Sequence, residues 1–361
     1  MEVSTASICI CTYNRAERLT ETLAAVQAMT RPADCRVEVV VVDNNSTDHT
    51  KDVVAGATRR GPFPMLYVHE SRQGKSFALN TALERARGNV LALTDDDVVP
   101  ASDWVERIVR HFRERAVSFV FGKVLPRWAA TPPPELLTTR ARDVWGPLAL
   151  VDYGDQPVEY LAESTKQQLP IGANLAFLRS ALIAIGGWRT DLGKVNNTLI
   201  SGEDHEIFMR LRRFGLYAGF YDPDLMVRHY VPADRLTRRY FRRWFYWHGK
   251  TQALMLDDLF PNVDMAIVPR IAGVPRFLYR DGLLRLWKYL QTAGRHDALD
   301  VLVEELQVIQ FLGLYIELWR QTFGTSIVAG GPRTSTVDGP GTCQHPFCSA
   351  RGSRRMDDPF R

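Results

Sequence analysis

Short apolar runs alternate with helix-like segments through the first hundred residues. Residues 37–42 and 90–93 are almost uninterrupted apolar runs, which is typical of strands buried in a parallel sheet. Between such runs, residues 18–29 and 77–86 carry apolar side chains at helical spacing. The alternation predicts an α/β fold built on a doubly wound, mainly parallel sheet.

The same patterns predict the remaining elements and their ends. Further strands are expected at 7–11, 65–69, 118–124, 217–221 and 226–230, with helices at 104–113 and 201–214. Residues 132–170 read as a long irregular segment, and a broken strand follows at 169–179. Ser46 or Thr47 is expected to cap one helix, and Gly88 to end another.

Composition bounds the class of protein. The chain has 361 residues, 45% hydrophobic and 24% charged, and a net charge of +4. These values are those of a globular protein and do not by themselves indicate a nucleic-acid partner. The five cysteines are few and scattered, which favours a reducing, cytoplasmic compartment over a disulfide framework. We expect no signal peptide and no spanning helix, because no apolar run approaches the ~18 residues required.

Polar side chains follow the ends of several predicted strands. Asp43 follows the second, and Asp95, Asp96 and Asp97 end the fourth. Because ligands of doubly wound sheets bind at the carboxyl ends of strands, these residues should meet in one crevice. Adjacent carboxylates suit Mg²⁺ or Mn²⁺. The alternatives are a solvated acidic turn and a helix-capping Asp43. Lys75 after Gly74 resembles part of a phosphate loop, without the full Walker spacing.

Three features of the second half carry possible chemistry. Gly172 interrupts a strand-like run and is expected to let a ligand approach the backbone. Glu203 and Asp204 open a helix, where acidic residues can simply answer the helix dipole. His229 lies on a predicted strand, and a single histidine is more often structural than a ligand.

Taken together, these pieces resemble a family 2 glycosyltransferase of the GT-A fold over residues 5–250. The resemblance rests on Cys11-Thr12-Tyr13-Asn14-Arg15, Val42-Asp43-Asn44-Asn45-Ser46-Thr47-Asp48, Gly74-Lys75-Ser76 with Ala78-Leu79-Asn80, Asp95-Asp96-Asp97, and Gly202-Glu203-Asp204 followed by His229. It implies inverting transfer of a sugar from a nucleotide-sugar donor, with a UDP-sugar favoured.

The resemblance also implies roles for individual residues. Thr12 and Tyr13 would line the base site, Asp43 would bond the base edge, Lys75 would lie near the diphosphate, and Asp95 would contact ribose. The donor site would further include Asn14, Arg15, Asn45 and Asp96.

A metal ion and a catalytic base complete the implied site. Asp97 with Asp95 and His229 would hold Mn²⁺ or Mg²⁺, although Asp96 leaves the register of the aspartates open. Asp204 would be the catalytic base, and nearby Glu203 and Glu206 would raise its pKa. Gly172, Ala173 and Asn174 would border the acceptor.

The last third is basic and aromatic. Residues 228–250 contain seven Arg or Lys against one acid, interleaved with aromatic residues. Three interpretations stay open: helices packed on the catalytic domain, a peripheral membrane surface over 235–290, or a nucleic-acid surface, which we rank last. The Gln-x-x-Arg-Trp signature of processive synthases is missing, which predicts addition of one sugar per encounter.

These observations predict a catalytic domain at 1–230, divided at 124/125, a helical extension at 231–324, and a disordered tail at 325–361. The predicted protein is a cytoplasmic glycosyltransferase, docked on the inner membrane face and acting on a saccharide or lipid-linked saccharide. The alternatives are a sugar nucleotidyltransferase and a non-catalytic nucleotide- or membrane-binding protein. Cys343 and Cys348 provide at most half a zinc site.

Overall fold

The first hundred residues form the parallel part of a large sheet. The computed structural model describes residues 3–58, 61–161, 169–195, 198–294 and 297–324. The first elements are β1 (Thr5–Thr12), α1 (Ala16–Gln27), β2 (Arg36–Asp43), α2 (Thr50–Thr58), β3 (Met65–His69), α3 (Lys75–Arg85) and β4 (Val90–Asp95). Strand β1 pairs in parallel with β2 and β4, and β2 with β3. The predicted alternation is confirmed.

The second half extends this sheet with antiparallel members. Its elements are β5 (Val98–Pro100), α4 (Trp104–Glu114), β6 (Phe119–Trp128), β7 (Val158–Tyr160), β8 (Asn174–Leu178), α5 (Arg179–Ala184), α6 (Glu203–Arg213) and β9 (Gly219–Val231). The strand order is β3-β2-β1-β4-β8-β6-β9-β5, and β7 pairs with β9. Strand β8 runs antiparallel between β4 and β6. Three short 3-10 turns occupy part of the predicted irregular segment: Pro134–Leu137, Thr139–Val144 and Gly146–Leu148.

Strand β9 replaces the two strands predicted at 217–221 and 226–230. Its pairing with β6 shifts register between Gly122 and Lys123, so that Asp222 faces Gly122 and Met226 faces Lys123. A side chain at Gly122 would collide with the carbonyl oxygen of Leu225. Residues 222–225, which lie between the two predicted strands, therefore form a bulge within one strand.

Two predicted helix ends were wrong. Neither Ser46 nor Thr47 caps α2, because the helix begins at Thr50 and the carboxylate of Asp48 accepts the Thr50 N–H at 3.1 Å. Gly88 does not end α3, which stops at Arg85. A Cβ at Gly88 would collide with the backbone of β1, so this glycine serves a close chain approach.

The elements after the sheet pack partly on the core of the sheet and partly around a second, smaller cluster of their own. They are α7 (Arg238–Leu254), α8 (Leu256–Leu259), the hairpin β10 (Arg270–Ile271) and β11 (Val274–Pro275), α9 (Arg276–Thr292) and α10 (Ala298–Thr322). Phe241 and Phe245 of α7 and Leu306 of α10 join the cluster that contains Ile8 of β1. No helix among the described residues is long and apolar enough to span a membrane. Residues 325–361, with Cys343 and Cys348, lie outside the described residues, and the domain boundaries stay predictions.

Helices α7 and α10 cross with their backbones in contact. A Cβ at Gly313 would collide with the carbonyl oxygen of Tyr246, and one at Gly249 would collide with that of Gln310. Next to the crossing, the Gln310 amide donates to the Gln252 side chain at 2.8 Å. One face of the basic-aromatic helix is therefore a packing face.

We expect Gly313→Ala to lower the free energy of unfolding by about 1–3 kcal/mol, because its methyl group has to displace backbone. Urea denaturation measures the effect. Gly56 of α2 has open space around its Cβ position, so the matched Gly56→Ala control should be neutral or stabilising by up to about 1 kcal/mol. Equal stability of both variants would contradict the close crossing.

Candidate active site

Asp97 and His229 are brought together by strand pairing. Asp97 immediately precedes β5, which pairs antiparallel with β9 so that Val98 lies opposite His229. The Tyr230 N–H donates to the Asp97 carbonyl oxygen at 2.9 Å. The His229 Nε2 atom then lies 3.2 Å from Asp97 Oδ1, and both side chains are buried.

Asp95, Asp97 and His229 form a possible metal site. One ligand atom from each lies within 4.8 Å of the others. Two carboxylates and an imidazole are a suitable donor set for Mn²⁺, and also for Mg²⁺ with additional oxygen ligands. The residues predicted to hold a metal therefore meet in the fold, although His229 lies more than 130 positions along the chain from Asp97.

Asp96 is directed to a different set of partners. It accepts hydrogen bonds from the Thr12 hydroxyl at 2.8 Å and from Arg15 Nη1 at 3.0 Å. The same Arg15 nitrogen lies 2.9 Å from Asp97 Oδ2. Burial works against ionisation of Asp97, yet His229 and then Arg15 hold its pKa well below the usual range. The geometry favours the Asp95-x-Asp97 register, with Asp96 anchoring the β1 loop.

Lys75 links the strand ends to helix α6. Helix α3 begins at Lys75, after Gly74 with a φ of +143°. The Lys75 ammonium lies 3.2 Å from Glu203 Oε1 and 3.7 Å from Asp95 Oδ1. Burial lowers the pKa of the Lys75 amine. The charges of Asp95, Asp204 and Glu203 outweigh this effect and raise the pKa well above its usual value. Lys75 is therefore a fixed positive charge between the possible metal site and α6.

Asp204 is held at the start of α6 by the backbone of Gly172. The Gly172 N–H donates to Asp204 Oδ2 at 3.0 Å, and a Cβ at Gly172 would lie 2.9 Å from Oδ1. The Asp204 carboxylate is thus one group that approaches this backbone, and the approach of a ligand to Gly172 stays a prediction. Burial raises the pKa of Asp204 to about 6, with Lys75 opposing and Glu203 adding to the shift.

Glu206 does not contribute as predicted. Its carboxylate is bound by both Nε and Nη2 of Arg210, each at 2.5 Å. Arg210 in turn donates to backbone carbonyls at Ile185 and Gly187. Glu206 therefore anchors α6 to the preceding loop, because its charge is directed to Arg210.

The loops after β1 and β2 are bonded to each other. The backbone of Asn14 has a φ of +50°, and its side-chain oxygen accepts a hydrogen bond from the Thr47 N–H at 2.7 Å. Asp43 is buried and accepts from the Tyr67 hydroxyl and the Ser46 N–H, both at 2.8 Å. Tyr13 and Asn45 remain exposed beside this frame. Of the residues predicted to meet a base, Tyr13 offers the largest free surface.

Only Gly172 of the predicted acceptor-side residues borders the crevice. Ala173 is fully buried, and Asn174 is 1% exposed. The Asn174 amide donates to the carbonyls of Lys123 and Leu225 and accepts from the Trp104 indole at 2.7 Å. An acceptor role for Ala173 or Asn174 does not fit, because both lie inside the core.

Sequence reasoning missed two positioning residues. Asn44 is buried, and its amide donates to Arg72 O and accepts from Gly74 N, both at 2.7 Å. It thereby fixes the loop that delivers Lys75. Arg235 follows β9, and its charge helps to lower the pKa of Asp97. Asn44 lies inside a recognised motif, but no sequence signal marked Arg235.

The chain matches one family model and resembles several individual proteins. The family model "Glycosyl transferase family 2" matches residues 7–185. The succinoglycan biosynthesis protein ExoM of Rhizobium meliloti is 28% identical over 250 residues, which cover 69% of this chain and 74% of the relative. Glycosyltransferase AglE of Haloferax volcanii is 30% identical over 255 residues, 70% of this chain and 75% of the relative.

Two further matches extend the comparison. The glucosyl-dolichyl phosphate glucuronosyltransferase of Haloferax volcanii is 26% identical over 264 residues, 71% of this chain and 78% of the relative. The mannosyltransferase PcManGT from Pyrobaculum calidifontis, solved with GDP-Man and Mn²⁺, aligns with a TM-score of 0.54 at 20% identity over 87% of this chain and 86% of that one. The structural match shows a shared fold.

The register of the aspartates can be tested with Mn²⁺ alone. We expect the ion to stabilise the protein against unfolding, by about 2.7 kcal/mol at a hundred times its Kd. Asp97→Asn should lose most of this stabilisation because it removes a ligand charge, whereas Asp96→Asn should keep it. Thermal unfolding and electron paramagnetic resonance of free Mn²⁺ measure the two effects. The reverse pattern would place Asp96 in the metal site.

Proposed function

Because the chain belongs to glycosyltransferase family 2 and has the GT-A fold, we propose that it moves a sugar from a nucleotide-sugar, with a UDP-sugar expected, to an acceptor hydroxyl with inversion. Membership in this family makes the protein a glycosyltransferase, in preference to a nucleotidyltransferase or a non-catalytic binding protein. The proposal of donor, metal and inversion rests on one observation. The possible metal site and Asp204 both lie close to Lys75, one on either side of it.

Asp204 acts as the catalytic base in this proposal. Gly172 occupies Oδ2, so Oδ1 is the oxygen that takes the proton of the attacking hydroxyl. A pKa near 6 leaves the carboxylate ionised at neutral pH while making it more basic than an exposed aspartate. As the acceptor oxygen bonds to the anomeric carbon, the bond to the diphosphate breaks and inversion results.

Positive charges at the strand ends receive the leaving diphosphate. A divalent cation held by Asp95, Asp97 and His229 would supply charge against the developing negative charge. Arg15 and Lys75 already lie beside these carboxylates and can turn toward phosphate oxygens. The histidine favours Mn²⁺, which is also the ion with which PcManGT was solved.

The donor base is assigned to the frame of Thr12, Tyr13 and Asp43. Stacking on the exposed Tyr13 ring would hold any base, and hydrogen bonds at its edge would select among bases. PcManGT was solved with GDP-Man, so GDP has to be compared directly with UDP. Asn14 and Asn45 act by shaping this frame, since both adopt a left-handed conformation.

The proposed acceptor is a saccharide or lipid-linked saccharide of surface or exopolysaccharide biosynthesis. One relative is named for succinoglycan biosynthesis, and another is named for transfer to glucosyl-dolichyl phosphate. We propose addition of one sugar per encounter, by a cytoplasmic enzyme at the inner face of the membrane. A lipid-linked acceptor requires the crevice to work beside a bilayer.

Asp204→Asn tests the catalytic base with almost no change in size. We expect transfer to fall by about 10²- to 10⁴-fold, because the amide cannot accept the proton, while UDP or GDP binding with Mn²⁺ stays unchanged. Nucleotide release with acceptor and calorimetry measure the two quantities. Gly172→Ala, which moves the carboxylate, should give a smaller loss, and the exposed-site control Asp264→Asn should give none. Parallel loss of binding and transfer would reject the assignment.

The pH profile of kcat/KM tests the environment of Asp204. A protonated base cannot accept a proton, so activity should fall as the pH drops through about 6. Glu203→Gln removes a negative charge that raises the pKa of Asp204. The substitution also releases Lys75 from Glu203, and the charge of Lys75 lowers the pKa of Asp204. Both effects should move the acid limb to lower pH. A limb that stays in place or moves upward would show that another group controls it.

A further inference from the structure

Exposed apolar side chains are concentrated in the last helices. Of 17 large apolar side chains exposed among the described residues, 11 lie between positions 263 and 323. Five of them belong to α9: Leu283, Leu284, Leu286, Trp287 and Leu290. A single exposed leucine is ordinary, but a contiguous set on one helix indicates an interaction surface.

Three of these residues form a stripe on the outer side of α9. Leu283, Trp287 and Leu290 follow one another at spacings of four and three, which places them on one helix face. They are 66%, 61% and 63% exposed. Helix α10 packs against the opposite face of α9. Leu278 is buried there, and its carbonyl oxygen accepts a hydrogen bond from the Tyr315 hydroxyl at 2.7 Å. The stripe is therefore not needed for packing within the chain.

Positive charge surrounds the stripe. Residues 270–292 contain one acid, Asp281, and five basic residues, all exposed: Arg270, Arg276, Arg280, Arg285 and Lys288. Two copies of the chain meeting at this stripe would bring like charges together. An anionic bilayer offers both an apolar layer for leucine and tryptophan and phosphate groups for the basic side chains. The charge pattern thus favours a lipid surface over a second copy.

Helix α10 is joined by ion pairs to both α9 and α7. Its Glu304 pairs with Lys288 of α9 at 2.5 Å, and the adjacent Glu305 pairs with Arg242 of α7 at 2.7 Å. Helix α7 begins three residues after Arg235, whose charge reaches Asp97. The carboxyl end of the stripe therefore lies near the first turns of α7.

We propose that α9 docks on an anionic lipid bilayer, with Leu283, Trp287 and Leu290 in the interface and the exposed Arg276, Arg280 and Arg285 at the level of the phosphates. The inference rests on the proposed function for its purpose, because the bilayer would carry the acceptor. Docking would bring the enzyme to lipid-linked saccharides that diffuse in the membrane plane.

Vesicle flotation of the full chain tests the surface. Wild type should bind vesicles of phosphatidylcholine with phosphatidylglycerol, and bind them better than phosphatidylcholine alone. The triple variant Leu283→Gln/Trp287→Gln/Leu290→Gln should bind on the order of a hundredfold more weakly. Arg280→Gln/Arg285→Gln should lose roughly fivefold per residue, on anionic vesicles only. The control triple Leu137→Gln/Ile183→Gln/Phe214→Gln alters residues elsewhere that are 60%, 51% and 47% exposed, and it should bind like wild type.

Two measurements in solution distinguish a loss of membrane docking from a loss of folding or of nucleotide binding. The stripe variant should retain the unfolding temperature of wild type and its nucleotide binding with Mn²⁺, because it alters only exposed side chains. Vesicle binding by wild type with no nucleotide response would reject the proposed function and leave the docking surface standing. Docking is overturned if wild type ignores anionic vesicles, if the stripe variant still binds them, or if light scattering shows a dimer that the stripe variant dissociates.

Discussion

Repulsion among buried carboxylates is the constraint on which the crevice depends. Asp95, Asp96, Asp97, Glu203 and Asp204 lie in one region, and most of them are removed from water. Charges of one sign cannot share a dry site unless cations lie among them. Arg15 and Lys75 meet that requirement, each within 4 Å of a carboxylate, and the His229 ring lies 3.2 Å from Asp97. Their positions then decide which acids stay available for chemistry.

The topology of the sheet places these charged side chains close together. Parallel strands β1, β2 and β4 end at one edge, which places the Thr12 and Arg15 loop beside the aspartates. The short antiparallel pair β5 and β9 then brings His229 back to Asp97. Helix α6 supplies Asp204 from the other side, fixed by the Gly172 N–H. Separate elements thus hold the acid that would serve as base and those that would bind metal.

The carboxyl-terminal helices serve both packing and exposure. The glycine crossing of α7 and α10 brings their backbones into contact, while Arg238, Arg239, Arg242 and Arg243 of α7 are exposed. Helix α9 differs because it is apolar on two faces while α10 covers only one. The structure shows a packing face on α7 and an exposed apolar face on α9, a distinction that the basic-aromatic composition alone left open.

The sequence by itself determined the alternating strands and helices, the family and the candidate acids, because strand runs and strand-end motifs are local patterns. It could not orient Asp96 toward Thr12 and Arg15 or place Asn174 in the core, because both outcomes depend on partners far along the chain. The same holds for Gly172, whose missing side chain makes room for Asp204. Glu206 and Arg210 are four residues apart on one helix, so helical spacing could have indicated that pair. Spacing along the chain indicates which groups can share an edge of the sheet. Only the tertiary structure decides which atom of each group meets which partner, because hydrogen bonds and ion pairs depend on distance in space.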